Sequence, residues 1–242
     1  MIKKVVVSAA GQGTRMLELS KDRSKHLIAV SKRPFLAYLL DNIVNAGYTE
    51  IILVVGFREE MIREFLKTYD AKGAVITIVN QFEILGPKEK EYGTACPIKC
   101  VKNVVGNESF ISLCGDNFYS VEDLKAMNTE DDLNYVAGLK SDHPEKFGVL
   151  IEEDGFLQEI KEKPQEFVGN LINTSLYKFT SEIFKAVFEI QKSPRGEYEI
   201  TDAITLLAKE KKVKVKPMTG FWMDFGRPED VEKFSKFLHE TI

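Results

Sequence analysis

Residues 5–25 read VVVSAAGQGTRMLELSKDRSK. Val5-Val6-Val7 is a run of β-branched residues, which predicts a short, fully buried strand. Small residues follow, Ser8, Ala9 and Ala10, and then Gly11-Gln12-Gly13-Thr14-Arg15. Without a Cβ, Gly11 and Gly13 let the backbone turn tightly and approach a ligand, so that successive N–H groups can converge on an anion. Arg15 and Lys25 then place a fork-shaped cation and a point charge beside the loop. Strand, glycine turn and two cations predict a polyphosphate cradle. Two common cradles are excluded by single letters. A dinucleotide fingerprint needs a third glycine where Met16 stands, and a P-loop needs Gly-Lys-Ser/Thr where the chain has Gly13-Thr14-Arg15.

Downstream of the loop, strand and helix patterns alternate. His26–Val30 is a short apolar segment ending in the turn Ser31–Pro34. Phe35, Leu36, Leu39, Leu40, Ile43 and Val44 follow at helical spacing, with Gly47 as the stop. Ile51–Val55 and Val75–Val79 read as strands, with a short helix over Glu59–Leu66 between them. Asn80–Tyr92 reads as an irregular loop whose run Lys88-Glu89-Lys90-Glu91 is a solvated, mobile tip. Gly93-Thr94-Ala95 opens a helix, with Thr94 as its cap, that ends before Gly106. A fourth strand, Ser109–Cys114, runs into Gly115-Asp116-Asn117, which puts a carboxylate beyond the carboxyl end of a strand, where open α/β sheets bind ligands. Ser120 caps a helix through Met127, and Tyr135–Leu139 is a strand. Two further strands flank Asp154-Gly155, a strong hairpin signal. Strand-like Asn170–Tyr177, a helix over Ser181–Gln191, a helix to Glu210, a strand Val213–Pro217 and a last helix from Pro228 complete the chain. This order predicts βαβ units and a largely parallel sheet covered on both faces.

The letters of these turns resemble the signatures of the sugar-phosphate nucleotidyltransferases. Ala9-Ala10-Gly11-Gln12-Gly13-Thr14-Arg15 with Ser24-Lys25 resembles A-A-G-x-G-T-R followed by P-K, with Ser24 in place of the proline. Gly115-Asp116 resembles the family's G-D, Phe147-Gly148-Val149 its Y-G-V, and Glu162-Lys163-Pro164 its E-K-P. Asn173-Thr174-Ser175 resembles N-x-G, with Ser175 for the glycine. Gly196–Ile204 (GEYEITDAI) and Trp222–Asp230 (WMDFGRPED) resemble G-E-x-E-I-T-D-A-I and W-x-D-x-G-x-P-E-D. Gln81 and Gly93 match the base-reading glutamine and the turn after it, at longer spacing; taken alone, Gln81 is a surface-loop amide.

The resemblance covers the whole chain and implies a three-layer, Rossmann-like α/β nucleotidyltransferase fold with a largely parallel mixed central sheet. Residues 1–242 are expected to form one domain, with a nucleotide-binding part at about 1–130 and a sugar-binding part at about 131–242. The implied reaction is attack of a sugar 1-phosphate on the α-phosphorus of an NTP, with pyrophosphate leaving. The resemblance assigns Arg15 and Lys25 to the triphosphate, Lys163 to the sugar phosphate, and Asp116 and Asp224 to Mg²⁺. It assigns Ala10, Gly11, Gly13, Thr14, Gln81, Gly93 and Thr94 to the nucleotide, and Asn117, Gly148, Glu162 and Asn173 to the sugar. Thr14-Arg15-Met16 and the Ala-Ala-Gly opening resemble the uridylyltransferases, which favours UTP or dTTP with glucose 1-phosphate and leaves CTP, GTP and other hexose phosphates open. A silent regulatory paralogue would lack one of Arg15, Lys25, Asp116, Lys163 or Asp224, and all five are present.

Composition narrows the remaining classes. A net charge of −4 argues against a nucleic-acid surface, though not against a nucleotide site with a few local cations. No apolar run approaches the roughly 20 residues of a membrane span. The chain enters a strand almost at once, so no signal peptide and a cytoplasmic setting are expected. Cys96, Cys100 and Cys114 form neither an even framework nor a zinc pattern, and reduced thiols are expected. Oligomeric state is left open, a homo-oligomer included.

Overall fold

A computed structural model describes residues 1–241 of the chain. It opens with β1 (Lys4–Ala9), the two-residue strands β2 (Ala29–Val30) and β3 (Arg33–Pro34), α1 (Phe35–Asn45), β4 (Glu50–Val55), α2 (Glu59–Leu66) and β5 (Val75–Asn80). Then come α3 (Gln81–Leu85), α4 (Cys96–Val105), β6 (Phe110–Cys114), β7 (Asn117–Tyr119), α5 (Val121–Ala126) and β8 (Asn134–Lys140). The rest forms β9 (Gly148–Glu153), β10 (Phe156–Glu162), β11 (Leu171–Phe179), α6 (Glu182–Glu189), α7 (Ile200–Lys209), β12 (Val213–Pro217), β13 (Trp222–Asp224) and α8 (Glu229–Thr241).

Nine strands make one sheet in the order β5-β4-β1-β6-β11-β8-β12-β10-β9. Strand alternation explains its double cover. Val5, Val7, Ile51 and Leu53 join the cluster under α1 and α5, which contribute Leu36, Leu40, Ile43 and Leu124. Val6, Ile52 and Val54 join the opposite cluster under α4, α6 and α7, with Ile98, Val101, Ile183, Ala203 and Ile204. Helix, sheet and helix form the expected three layers. The sheet is mixed, and its parallel pairings concentrate in the first four strands, β5, β4, β1 and β6. β11 reverses direction against both β6 and β8, and the far edge is antiparallel except where β12 runs parallel to β8.

Three local expectations are corrected. Gln81–Leu85 is helical rather than irregular, because the Asn80 side chain accepts the N–H groups of Phe82 and Glu83 and so caps α3. α4 starts at Cys96 with Ala95 as its cap, and Thr94 serves another helix. The charged tip is not wholly solvated: Glu91 pairs with Lys99, whose side chain is buried over the Tyr198 ring. Cys96 and Cys100 are buried, and all three cysteines are free thiols. No helix among the described residues is long and apolar enough to cross a membrane.

Candidate functional site

The site forms where β1 and β6, neighbours in the sheet, release their chains. Gly115 N donates to Ser8 O at 2.9 Å, and a Cβ on Gly115 would stand 2.9 Å from that same oxygen. Only glycine permits that approach, and it delivers Asp116 to the foot of the glycine loop. Lys25 arrives from a single 3-10 turn and forms an ion pair with Asp116, both side chains being largely buried. Burial opposes the Lys25 charge, but the Asp116 carboxylate outweighs it, so Lys25 holds its proton more tightly than usual. Burial likewise opposes ionisation of Asp116, yet Lys25 holds its carboxyl below the usual range. Gly13 has φ +67°, and a Cβ there would meet the Lys25 side chain at 2.9 Å, so this glycine makes room for the lysine itself. Ser24, the departure from proline, has its hydroxyl 3.0 Å from Nδ1 of His26. Burial, helped by the Lys25 charge, lowers His26 to about 3, so it is a neutral brace.

Asp224 reaches the same place from the other end of the chain. β13 pairs antiparallel with β7, with Asp224 opposite Asn117, and Phe225 N donates to Asp116 O at 2.7 Å. A Cβ on Gly226 would lie 3.1 Å from the Asp224 carboxylate. Burial, followed by the negative charge of Asp116, raises Asp224 to about 6, although Arg15 and Lys25 pull the other way. Ala10 is buried behind the loop, whereas Thr14 and Arg15 are exposed at its rim.

One cavity of about 160 Å³ is lined by Ala10, Gly11, Lys25, Gln81, Gly93, Thr94 and Asp116, among others. Gln81 is only 2% exposed and its Oε1 has no hydrogen-bond partner among the described residues. The surface-amide alternative therefore falls: a buried acceptor without a partner is costly and asks for a ligand donor. Gly93 has φ +135°, and a Cβ would come within 2.3 Å of Tyr198 O. The Thr94 hydroxyl accepts from Ile200 N at 2.9 Å and donates to Glu199 at 3.2 Å, so it caps α7 while lining the cavity. Tyr92 and Glu197 also line it and were missed. Glu197 lies within GEYEITDAI, whose letters give it no role of its own, and Tyr92 carries no sequence signal beyond adjoining Gly93.

A second, wider cavity of about 630 Å³ is lined by Arg15, Lys163, Trp222 and Asp224, with Lys146 and Arg227 adding charge. Glu162 and Gly148 are neighbours: a Cβ on Gly148 would meet the Glu162 carboxylate at 3.1 Å and Asn173 at 3.8 Å. Lys163, with φ +43°, lies next in the chain and is exposed. Two proposed sugar contacts are already engaged within the protein. Asn117 is buried and donates to Thr174 O at 3.2 Å, while Asn173 donates to Tyr177 Oη and accepts from Ser175 N.

The family model described as Nucleotidyl transferase matches residues 4–241. The chain is 32% identical over 246 residues to the UTP–glucose-1-phosphate uridylyltransferase AglF of Haloferax volcanii, covering 98% of this chain and 97% of that protein. It is 32% identical over 241 residues to the bifunctional protein GlmU of Methanocaldococcus jannaschii, where it spans about half, 54%, of the relative's length. Among solved structures, a UDP-glucose pyrophosphorylase complexed with UDP-glucose superposes with a TM-score of 0.85 at 22% identity, over 100% of both chains.

Proposed function

The chain belongs to the nucleotidyl transferase family, and on that premise we propose that it moves a nucleotidyl group from UTP or dTTP to glucose 1-phosphate, releasing pyrophosphate. The observation that carries the reading is the convergence of Asp224 on Asp116 and Lys25 at the glycine loop, through the pairing of β13 with β7. Nucleotidyl transfer asks one anion to attack another, so positioning and charge neutralisation supply most of the catalysis. A sugar 1-phosphate is already ionised at neutral pH and needs no general base. Arg15 and Lys25 would hold the triphosphate and the departing pyrophosphate, and Lys163 the sugar phosphate. Glu162 would accept hydrogen bonds from sugar hydroxyls. Gln81, through its unpartnered Oε1, would accept from the imide N–H that uracil and thymine share.

Asp116 and Asp224 fit Mg²⁺. No group of three or more His, Cys, Asp or Glu able to hold a metal occurs among the described residues, but Mg²⁺ keeps waters and takes phosphate oxygens, so two carboxylates suffice. The Asp224 carboxyl is raised by burial and then by the negative charge of Asp116, and a divalent cation would offset both. When bound, the ion would neutralise charge on the phosphates. The test is a pyrophosphate-release screen of UTP, dTTP, CTP and GTP against several hexose 1-phosphates, with Mg²⁺ and with chelator. The highest kcat/KM is expected for UTP or dTTP with glucose 1-phosphate, and chelation should abolish it. Turnover with no pair would overturn the proposal.

A further inference from the structure

The charges of the tip between α3 and α4 have different surroundings. Glu91 pairs with Lys99, and Glu89 and Lys90 are exposed. Lys88 turns back toward the site. Its ammonium is 3.5 Å from Oε1 of Gln12, the residue between the two loop glycines, and 4.5 Å from the centre of the Tyr92 ring. Tyr92 lines the same cavity as Lys25, Gln81 and Asp116. Both partners of Lys88 are neutral and weak: 3.5 Å is the far limit of a hydrogen bond, and a ring face holds a cation only loosely at an open place. It forms no ion pair among the described residues, although four acidic side chains, Glu83, Glu89, Glu91 and Glu197, belong to this stretch or to the cavity wall. A cation kept half-buried beside an anion cradle by neutral contacts is free to exchange them for a stronger partner.

We propose that Lys88 is a third cation of the phosphate site, reaching from the tip over the glycine loop to the outer phosphates of the NTP and to pyrophosphate. The inference rests on the nucleotidyl-transfer reading and adds to it a residue outside the matched motifs. A lysine suits the task, since its ammonium is a point charge with three donors on a flexible stem. Its contact with Gln12 puts it beside the N–H groups of the loop, where the negative charge of a triphosphate would be densest.

The test compares the wild type with Lys88→Met, which keeps the apolar stem against Tyr92, and Lys88→Arg, which keeps the charge. Calorimetry with Mg²⁺ should show Lys88→Met binding UTP roughly tenfold more weakly, the loss of one charge-assisted contact, while UMP binds as in the wild type. In the reverse direction KM for pyrophosphate should rise to a similar extent, in the forward direction KM for the sugar 1-phosphate should hold, and Lys88→Arg should restore most of the loss. Unchanged UTP binding by Lys88→Met overturns the proposal alone. So does an equal loss for UTP and UMP, which would make Lys88 a brace of the tip. A wild-type protein that binds none of UTP, dTTP, CTP and GTP overturns the nucleotidyl-transfer reading and this proposal with it.

Discussion

Asp224 is held in a position that favours its neutral form, with a carboxyl at about 6 against an ordinary 3.8. A carboxyl raised on folding binds its proton more tightly in the folded state than in the unfolded one. Without metal, the folded protein is therefore penalised as pH climbs from about 4 through about 6, and the full penalty stands above that. Its size is at most about 3 kcal/mol, less what partial exposure to water screens. Asp224→Asn should then melt higher than the wild type at pH 7.5 in chelator and lose that advantage at pH 4, while Mg²⁺ should raise the wild-type melting temperature more than the mutant's. Turnover should fall on the order of a thousandfold. A mutant that melts lower in chelator and turns over normally would make Asp224 a brace of its turn. Ser175 carries backbone strain, with φ +59° at the irregularity where β11 slips register against β8. The left-handed region costs a non-glycine residue about 1 kcal/mol or more. Ser175→Gly should raise the melting temperature by a few degrees. A fall would show that the serine hydroxyl, within reach of Cys114 and Tyr177, contributes more than the strain removes.

The elements that wall the smaller cavity are joined largely through backbone contacts. Gly93 lies against the backbone of Tyr198, Ala95 N donates to Tyr198 O at 2.9 Å, and Thr94 caps α7. The segment GEYEITD thus clamps the turn between α3 and α4. Gly93→Ala would drive a methyl into a carbonyl oxygen that cannot retreat without breaking those bonds. It should destabilise by several kcal/mol, and the protein that remains folded should lose NTP affinity before sugar-phosphate affinity; retained stability and affinity would show that the turn can relax. The strands and helices of the main sheet were legible because each carries a period and a stop, as Val5–Val7 and Phe35–Val44 do. The glycine loop and Asp116 were legible because a glycine pair and a strand end leave marks in adjacent letters. Three-residue β7 and β13 were not, since no period can show in three residues. Their pairing, which unites Asp116 and Asp224, is a contact across more than a hundred positions. The burial of Gln81 was hidden for a related reason: an Asn80 cap creates a helix inside what reads as a loop. Asn117 and Asn173 fit the letters of a sugar site, but letters do not reveal that part of each amide's hydrogen bonding goes to Thr174, Tyr177 and Ser175.

Across the whole molecule, the two large clusters under the sheet faces and a third, smaller one have different consequences for the site. The third joins Phe35, Phe118, Phe225, Phe234 and Leu238, and it fastens α8 to the β7–β13 ribbon. Phe35 stacks on Phe225 with ring centres 4.2 Å apart, and Phe118 meets Phe234 at 4.8 Å. Phe118 lies two residues after Asp116, and Phe225 directly follows Asp224, so the aromatic packing fixes the spacing of the two carboxylates. Removing the fully buried Phe234 should cost about 3–5 kcal/mol, and the slack it leaves falls on that ribbon. Removing Phe184, buried under the opposite face of the sheet, should cost a similar amount without touching the ribbon. Phe234→Ala is therefore expected to need more Mg²⁺ for half-maximal turnover and to show a lower kcat, at a temperature where circular dichroism finds it folded. Phe184→Ala should keep the wild-type Mg²⁺ requirement at matched stability. Phe234→Leu, which retains most of the volume, should fall between Phe234→Ala and the wild type in both measurements. Equal changes in Mg²⁺ requirement for the Phe234 and Phe184 variants would mean that general loosening, and not the aromatic seat under α8, governs the two aspartates.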